Sequence, residues 1–292
     1  MNIVIANVRN MRVNEIRALA EALNKKHRVT VVSHSSSKSN RGQAFNYRNE
    51  PVRVNPLHYA DVVKNSSWAS HITTKEVKEG EKKVGAFDGI AGYEFGGDPA
   101  DSIAIMLTEI MKHKKPDIVI CGINNGRHMG QDVYCSSNIG MAMEARFHGC
   151  KSIAVAVEHQ GGGHGLEDLK NASTFIEKNI EAFCKLELPR HTFLNINIPH
   201  VENYKDFKGV KVSRMGRLTQ LSKYRMSTDS TGEEYYWAES VERHAVESAK
   251  ERHEDAPRWY EEGYITIIPQ TYDTTDYAKV REWDKTIRGE MK

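Results

Sequence analysis

Residues 1–32 read MNIVIANVRNMRVNEIRALAEALNKKHRVTVV, and three segments stand out in them. Residues 2–6 are a short apolar run. Residues 13–23 place Val13, Ile16, Leu19, Ala20 and Leu23 at spacings of three and four, which predicts one buried face of a helix. Val29-Thr-Val-Val32 is a second apolar run. Strand, helix and strand within about thirty residues is the length of a βαβ unit, whose parallel strands require a right-handed crossover. Residues 33–50 are rich in Ser, Asn, Arg and Gly and begin where the second strand ends. Loops at the carboxyl ends of parallel strands are where α/β proteins bind ligands.

Working outward, the same cycle repeats. Pro99 to Met111 carries Ile103, Leu107, Ile110 and Met111 on one helical face, and Pro99 suits an early helical position after Gly96-Gly97-Asp98. Residues 117–121 (Asp-Ile-Val-Ile-Cys) place consecutive apolar residues after Asp117, as in a parallel strand buried on both faces. A Gly-rich loop at 122–135, a small-residue helix at 136–148 and a strand at 152–157 follow. A further amphipathic helix at 168–186 and a strand at 193–198 complete the pattern. The expected fold is therefore α/β: a doubly wound, mostly parallel sheet with helices on both faces. After about residue 210 the texture changes. Residues 217–262 hold few aliphatics but many charges and aromatics, among them Tyr224, Tyr235, Tyr236, Trp237, Trp259 and Tyr260. The expected division is an α/β core over 1–210 and a C-terminal arm over 211–292, which includes the strand-like Gly263-Tyr-Ile-Thr-Ile-Ile-Pro269 and serves subunit contact.

The formal charge of +2 over 292 residues exerts no global pull on nucleic acid or anionic membrane, so an anionic partner would have to be met by a local site. Apolar runs fall far short of the ~20 residues of a membrane span. The opening residues lack the pattern of a secretory signal, and Cys121, Cys135, Cys150 and Cys184 show no Cys-x-x-Cys spacing. A cytoplasmic protein with reduced thiols, no membrane association and no nucleic-acid polymer as partner is expected.

Residues 122–138 form a glycine-punctuated loop between a strand and a helix. Gly122, Gly126 and Gly130 allow tight turns, while Ser136-Ser137-Asn138 bring hydroxyls, an amide and N–H groups to a helix start. That combination suits an anion, although a plain helix cap would use the same residues. His34, His128, His159 and His164 lack metal-ligand spacing, and the three glycines of the 159–164 segment read as a surface loop. Gly-x-Ser-x-Gly, Walker and Gly-x-Gly-x-x-Gly motifs do not occur, which removes support for serine-hydrolase, P-loop and nicotinamide chemistry.

Several segments in order resemble the SurE (survival protein E) nucleotidases: Met1-Asn-Ile-Val-Ile-Ala-Asn7, Gly97-Asp-Pro-Ala-Asp101, Pro116-Asp-Ile-Val-Ile-Cys-Gly-Ile-Asn-Asn-Gly126, Met129-Gly-Gln-Asp-Val133, Ala142-Met-Glu-Ala-Arg146, Leu194-Asn-Ile-Asn-Ile-Pro199 and Glu262-Gly-Tyr-Ile-Thr-Ile-Ile-Pro269. The resemblance implies an α/β phosphomonoesterase of nucleotides, dependent on Mg²⁺ or Mn²⁺, and a homodimer or tetramer with arms exchanged. It also implies a ligand set: an Asp-Asp pair after the first strand, a Ser after the second and the Asn of Ser-Gly-Ile-Asn. Here the Ser matches Ser39 and the Asn matches Asn124, but the Asp-Asp pair falls on Val8 and Arg9 and the following Gly on Asn10. Losing two carboxylates and gaining a guanidinium swings the local charge by about three units, and repulsion of a nearby dication is then on the order of kilocalories even at an effective dielectric near 20. Glu15 and Asp132 are the carboxylates that would have to compensate. The family's phosphate-contacting Ser-Gly-Thr corresponds to Ser136-Ser137-Asn138, still polar, and Arg9 matches phosphate geometry.

Four readings follow. The first is a binder of nucleotide or other phosphate monoester, built from Arg9, Asn10, Ser39, Asn124, Ser136, Ser137 and Asn138, with the metal site of Ser39 and Asn124 vestigial. The second is an active nucleotidase with a substitute ligand. The third is a different enzyme for a phosphorylated nucleoside or sugar, with Arg9 and Glu15 as catalytic candidates. The fourth is a purely structural or partner protein.

Overall fold

The computed structural model describes residues 1–46, 50–58, 89–157, 165–221, 223–239, 242–245 and 255–290. The opening run forms β1 (Asn2–Ala6), the periodic segment α1 (Asn14–Leu23) and the second run β2 (Arg28–His34). Then come β3 (Val54–His58), β4 (Ala91–Phe95), α2 (Pro99–Ile105), β5 (Ile118–Asn125), the short α3 (Asp132–Cys135), α4 (Ser137–Phe147), β6 (Ser152–Val157), α5 (Leu166–Lys185) and β7 (Phe193–Ile198). Beyond these lie β8 (Val210–Val212), β9 (Leu218–Leu221), β10 (Tyr224–Thr228), β11 (Glu234–Ala238), β12 (Glu242–Ala245), α6 (Ala256–Glu261), β13 (Ile265–Gln270) and α7 (Tyr277–Glu290).

Nine strands make one sheet in the order β3-β4-β2-β1-β5-β6-β7-β13-β8. From β4 to β7 every neighbouring pair is parallel, while β3 runs antiparallel to β4 and β13 antiparallel to β7. The expected doubly wound sheet is thus present. Strand alternation divides the core in two. Ile3 and Ile5 of β1 pack with Leu19 of α1 and Phe175 of α5 on one face. Val4 and Ala6 pack with Ile103 of α2 and Ala142 of α4 on the other, together with Val8 just beyond the strand. Burying each large aliphatic contributes about 1.5–3 kcal/mol, so both layers are strongly held.

The chain moves from β1 outward to β2 and β4, then returns to place β5 on the opposite side of β1. The carboxyl ends of β1 and β5 therefore flank the point where strand order reverses, the position at which open α/β sheets bind ligands. The helix expected over 99–111 is α-helical only to Ile105 and continues as a π-helical turn, Met106–Ile110, closed by Met111 N–H donating to Met106 O at 2.8 Å. The sheet also crosses the division expected at residue 210, because β8 and β13 both belong to it. Between them β10 pairs with β11 as a hairpin and β12 pairs with β9 as a second antiparallel ladder.

Gly140 lies inside α4, where glycine ordinarily costs about 1 kcal/mol relative to alanine. The loop after β2 crosses the helix at this point: a Cβ on Gly140 would stand 2.3 Å from Gly42 O and 2.9 Å from Gln43 Cα. Gly140→Ala is therefore expected to destabilise by about 1–3 kcal/mol, against its helix propensity, because two backbones must separate. Chemical denaturation checks this, and a stabilised variant would show that the crossing is not tight.

Candidate functional site

The first wall of the site is the turn after β1. Asn7 is 1% exposed, donates from Nδ2 to Ile123 O across the switch point at 3.2 Å, and accepts the Arg9 N–H on Oδ1 at 3.1 Å. One amide thus ties the ends of β1 and β5 together and turns the chain. The adjoining main chain is held as well, since Val8 O accepts from Lys38 N–H at 2.9 Å and Arg9 O from His34 N–H at 3.1 Å. His34 is buried, its Nδ1 is 3.0 Å from Asn7 O, and desolvation lowers its pKa from the ordinary value, so the ring is a neutral donor to that carbonyl.

Val8 continues the inward register of Val4 and Ala6 and is 2% exposed. Arg9 turns outward, its side chain 38% exposed, with Nη1 3.4 Å from Oε1 of Glu15, whose side chain is 3% exposed. The structure therefore brings the two catalytic candidates into contact. Asn10 donates to Glu94 Oε2 at 3.4 Å and accepts from Arg12 N–H.

The second wall is the loop after β2. Ser137, the first residue of α4, donates its hydroxyl to Lys38 O at 2.7 Å and accepts Arg41 N–H at 2.9 Å. Its side chain thus clamps the loop against the helix. Ser39 Oγ is 3.2 Å from Ser37 Oγ, and Arg41 Nη1 approaches Asp98 Oδ1 at 4.0 Å.

The third wall is the segment after β5. The β5–β6 register shifts between Cys121 and Asn124, and Gly122 sits at φ 139°, with space for a Cβ closed off by Val155 O at 2.4 Å. Asn124 is half-buried and donates to Asn125 O at 3.3 Å. No hydrogen bond joins it to Ser39 among the described residues. Asp132 opens α3 and its carbonyl accepts from Ser136 N–H. His128 is 1% exposed and is gripped through its backbone: its N–H donates to Asn197 Oδ1 at 2.7 Å and its carbonyl accepts from Asn195 Nδ2 at 2.8 Å. Its Nε2 lies 2.9 Å from Ser136 Oγ, which also accepts Ile139 N–H at 3.3 Å as the cap of α4. Asn138 is buried, and its Oδ1 has no hydrogen-bond partner among the described residues. His159 and His164 lie outside the described residues.

A divalent hard cation needs oxygen ligands, with carboxylates supplying most of the neutralising charge. The residues here do not fit one. Val8 is committed to the core, Arg9 adds a positive charge, and Glu15 faces that charge. Among the described residues there is no group of three or more His, Cys, Asp or Glu that could hold a metal ion. The charge and donors suit an anion better: Arg9 is a cation, and the first N–H groups at the amino end of α4 have no carbonyl of their own to bind.

Sequence reasoning named Arg9, Glu15, Asn10, Ser39, Asn124 and Ser136–Asn138, but not Asn7, Arg41, Asn195 or Asn197. The signal for the last two was present, since asparagines two apart in the apolar strand Phe-Leu-Asn-Ile-Asn-Ile must share a buried face.

Comparison with known proteins adds the lineage. A family model described as survival protein SurE matches residues 3–221. The 5'-nucleotidase SurE of a Thermoanaerobacter species is 30% identical over 297 residues, covering 98% of this chain and 100% of that protein. The 5'-nucleotidase SurE of Caldanaerobacter subterraneus subsp. tengcongensis is 30% identical over 226 residues, covering 75% of this chain and 82% of that one. In structure, the SurE protein from Aquifex aeolicus superposes with a TM-score of 0.70 at 24% identity, over 99% of this chain and 100% of that chain, which shows a shared fold.

Burial pushes the His128 pKa from the ordinary 6.5 down to about 3. Between those values the unfolded chain binds a proton on this ring that the folded chain does not, so stability falls as pH drops, by about 1.4 kcal/mol per pH unit from this residue. His34 acts in the same direction. Denaturation midpoints of wild type and His128→Gln, followed from pH 7 to 4, are expected to converge as the pH falls; parallel curves would show that His128 is not held neutral.

Proposed function

The chain belongs to the SurE family, and on that premise we propose that it binds a nucleotide or other phosphate monoester at the β1–β5 switch point, with the family's metal-dependent phosphomonoesterase chemistry lost or altered. The observation that carries this reading is the pair Val8-Arg9 at the end of β1, one side chain packed into the core and the other a partly exposed cation beside Glu15. Arg9 supports phosphate binding because a guanidinium has five N–H donors and can bridge a carboxylate and a phosphate at once. On this reading the capped amino end of α4, Asn124, Asn10, Ser39 and Ser136 supply the remaining polar groups.

Phosphate release from nucleoside monophosphates, measured with and without Mg²⁺ or Mn²⁺, is expected to show no metal-stimulated turnover. AMP is expected to raise the melting temperature, and Arg9→Ala to weaken its binding about tenfold. Metal-stimulated release that disappears in Asn124→Ala would overturn the reading in favour of an active nucleotidase with a substitute ligand. A second reading draws on the Arg9–Glu15 contact, in which a carboxylate beside the anion site serves as acid or base toward a phosphorylated nucleoside or sugar. Turnover of such a compound without phosphate release, lost in Glu15→Gln, would favour it.

We also propose that the 211–292 segment serves assembly into a homodimer or tetramer. Tyr224, Tyr236 and Trp237 on the β10–β11 hairpin and Val280, Trp283 and Ile287 on α7 are all exposed large apolar side chains, which supports a contact role. Trp237→Glu is expected to reduce the mass measured by light scattering, and an unchanged mass would remove the hairpin from the contact. A cytoplasmic location is supported by four unpaired cysteines; no helix among the described residues is long and apolar enough to cross a membrane.

A further inference from the structure

We propose that His128 is a positioning residue for the anion site, holding its neutral ring in the Nε2–H tautomer so that the Ser136 hydroxyl is left with its proton pointing outward, as a dedicated donor to a phosphate oxygen. This rests on the phosphate-site reading above and extends it to a residue that would touch no ligand itself.

Donors and lone pairs decide where the proton sits. A hydroxyl has one proton and two lone pairs, and a neutral imidazole has one N–H and one bare nitrogen. Ser136 Oγ is 2.9 Å from His128 Nε2 and 3.3 Å from Ile139 N, and the amide can only donate. His128 Nδ1 is buried and has no hydrogen-bond partner among the described residues. Two arrangements remain. With the proton on Nδ1, the serine donates to Nε2 and a buried N–H is stranded without an acceptor. With the proton on Nε2, the imidazole and the Ile139 amide fill both serine lone pairs, and the stranded group is a bare nitrogen. Orphaned buried N–H groups are the rarer and costlier state, and the Nε2–H form is also the one free histidine prefers. The second arrangement therefore holds. The serine proton must then leave this network on the side away from His128 and Ile139.

The ring can enforce this because it is rigidly placed. Asn197 takes its N–H, Asn195 and Asn197 both donate to its carbonyl, and Asn195 is further braced by Gln270 Oε1 at 3.0 Å. Full burial keeps the ring uncharged at neutral pH, so it presents one donor rather than two. Ser136 is also the N-cap of α4, so the donated proton joins the first N–H groups of that helix. A phosphate monoester, with several acceptor oxygens on one centre, is the ligand class that accepts from both.

Ring-nitrogen NMR of the full-length protein tests the tautomer directly. A protonated Nε2 and a bare Nδ1 on His128 are expected; a protonated Nδ1 overturns the proposal whatever the binding data show. Calorimetric titration with AMP and with inorganic phosphate supplies the second readout. Ser136→Ala and His128→Phe are each expected to weaken binding about tenfold, while His128→Gln, whose amide can donate from the Nε2 position, stays within about threefold of wild type. Loss in Ser136→Ala with none in His128→Phe overturns the positioning role and leaves the phosphate site intact. Binding of neither probe by the wild type overturns the phosphate-site reading itself. Should His128→Phe fail to fold, the tautomer and the comparison of His128→Gln with Ser136→Ala still decide the outcome, because equal losses in those two would show that no donor is replaced.

Discussion

Buried backbone groups need partners, and at the switch point of this sheet three chain segments leave regular structure at once. Their N–H and C=O groups cannot all meet on a strand ladder, and leaving one unpaired costs about 1–3 kcal/mol. Buried asparagines satisfy them. Asn7 spans from the β1 turn to Ile123 O, while Asn195 and Asn197 hold the N–H and carbonyl of His128. An amide suits this role because it donates and accepts without carrying charge into the interior. These three amides fix the turn after β1 and the main chain at His128, while the Ser137 hydroxyl holds the loop after β2.

On that frame, two positions decide the sign of the site. Carboxylates at 8 and 9 would give the turn two negative charges; valine and arginine give it one positive charge instead. The sheet accommodates the change readily. Val8 lies on the inward register of Val4 and Ala6, so an apolar side chain there extends a layer that already exists. Arg9 reaches Glu15 on the first turn of α1, and the pair shields a carboxylate that would otherwise be buried beside an anion site. Because Arg9 is more than a third exposed, the contact itself adds little to stability. Its effect is on the local potential.

Much of this was legible in the sequence where the signal is local. Hydrophobic spacing located α1, β2, β5, α4, β6, α5 and β7 to within a few residues, since each buries a continuous stripe or both faces. β3 and β4 escaped it. Val-Asn-Pro-Leu-His is an edge strand that tolerates Pro56, and Ala-Gly-Tyr-Glu-Phe alternates without a strong apolar face. Helix α7 escaped it too, because its apolar residues are exposed and mixed with charges. At the site, the resemblance located the loops, but the contacts Asn7–Ile123 and His128–Asn197 join residues 116 and 69 positions apart, which no local pattern encodes.

The two halves of the site differ in how easily evolution can remove them. A metal half depends on charged side chains at individual positions, so two substitutions abolish its charge balance while the fold stays as it was. The other half is made of main-chain N–H groups at the start of α4, a capping serine and a loop that crosses the helix at Gly140. Its parts are also structural parts: removing the cap frays a helix at a cost of about 1 kcal/mol, and widening the 42–140 crossing loosens the packing beneath it. Stability alone therefore holds these parts in place. Two substitutions at the end of β1 can therefore reverse the charge there while the cap of α4 and the crossing at Gly140 stay as they are.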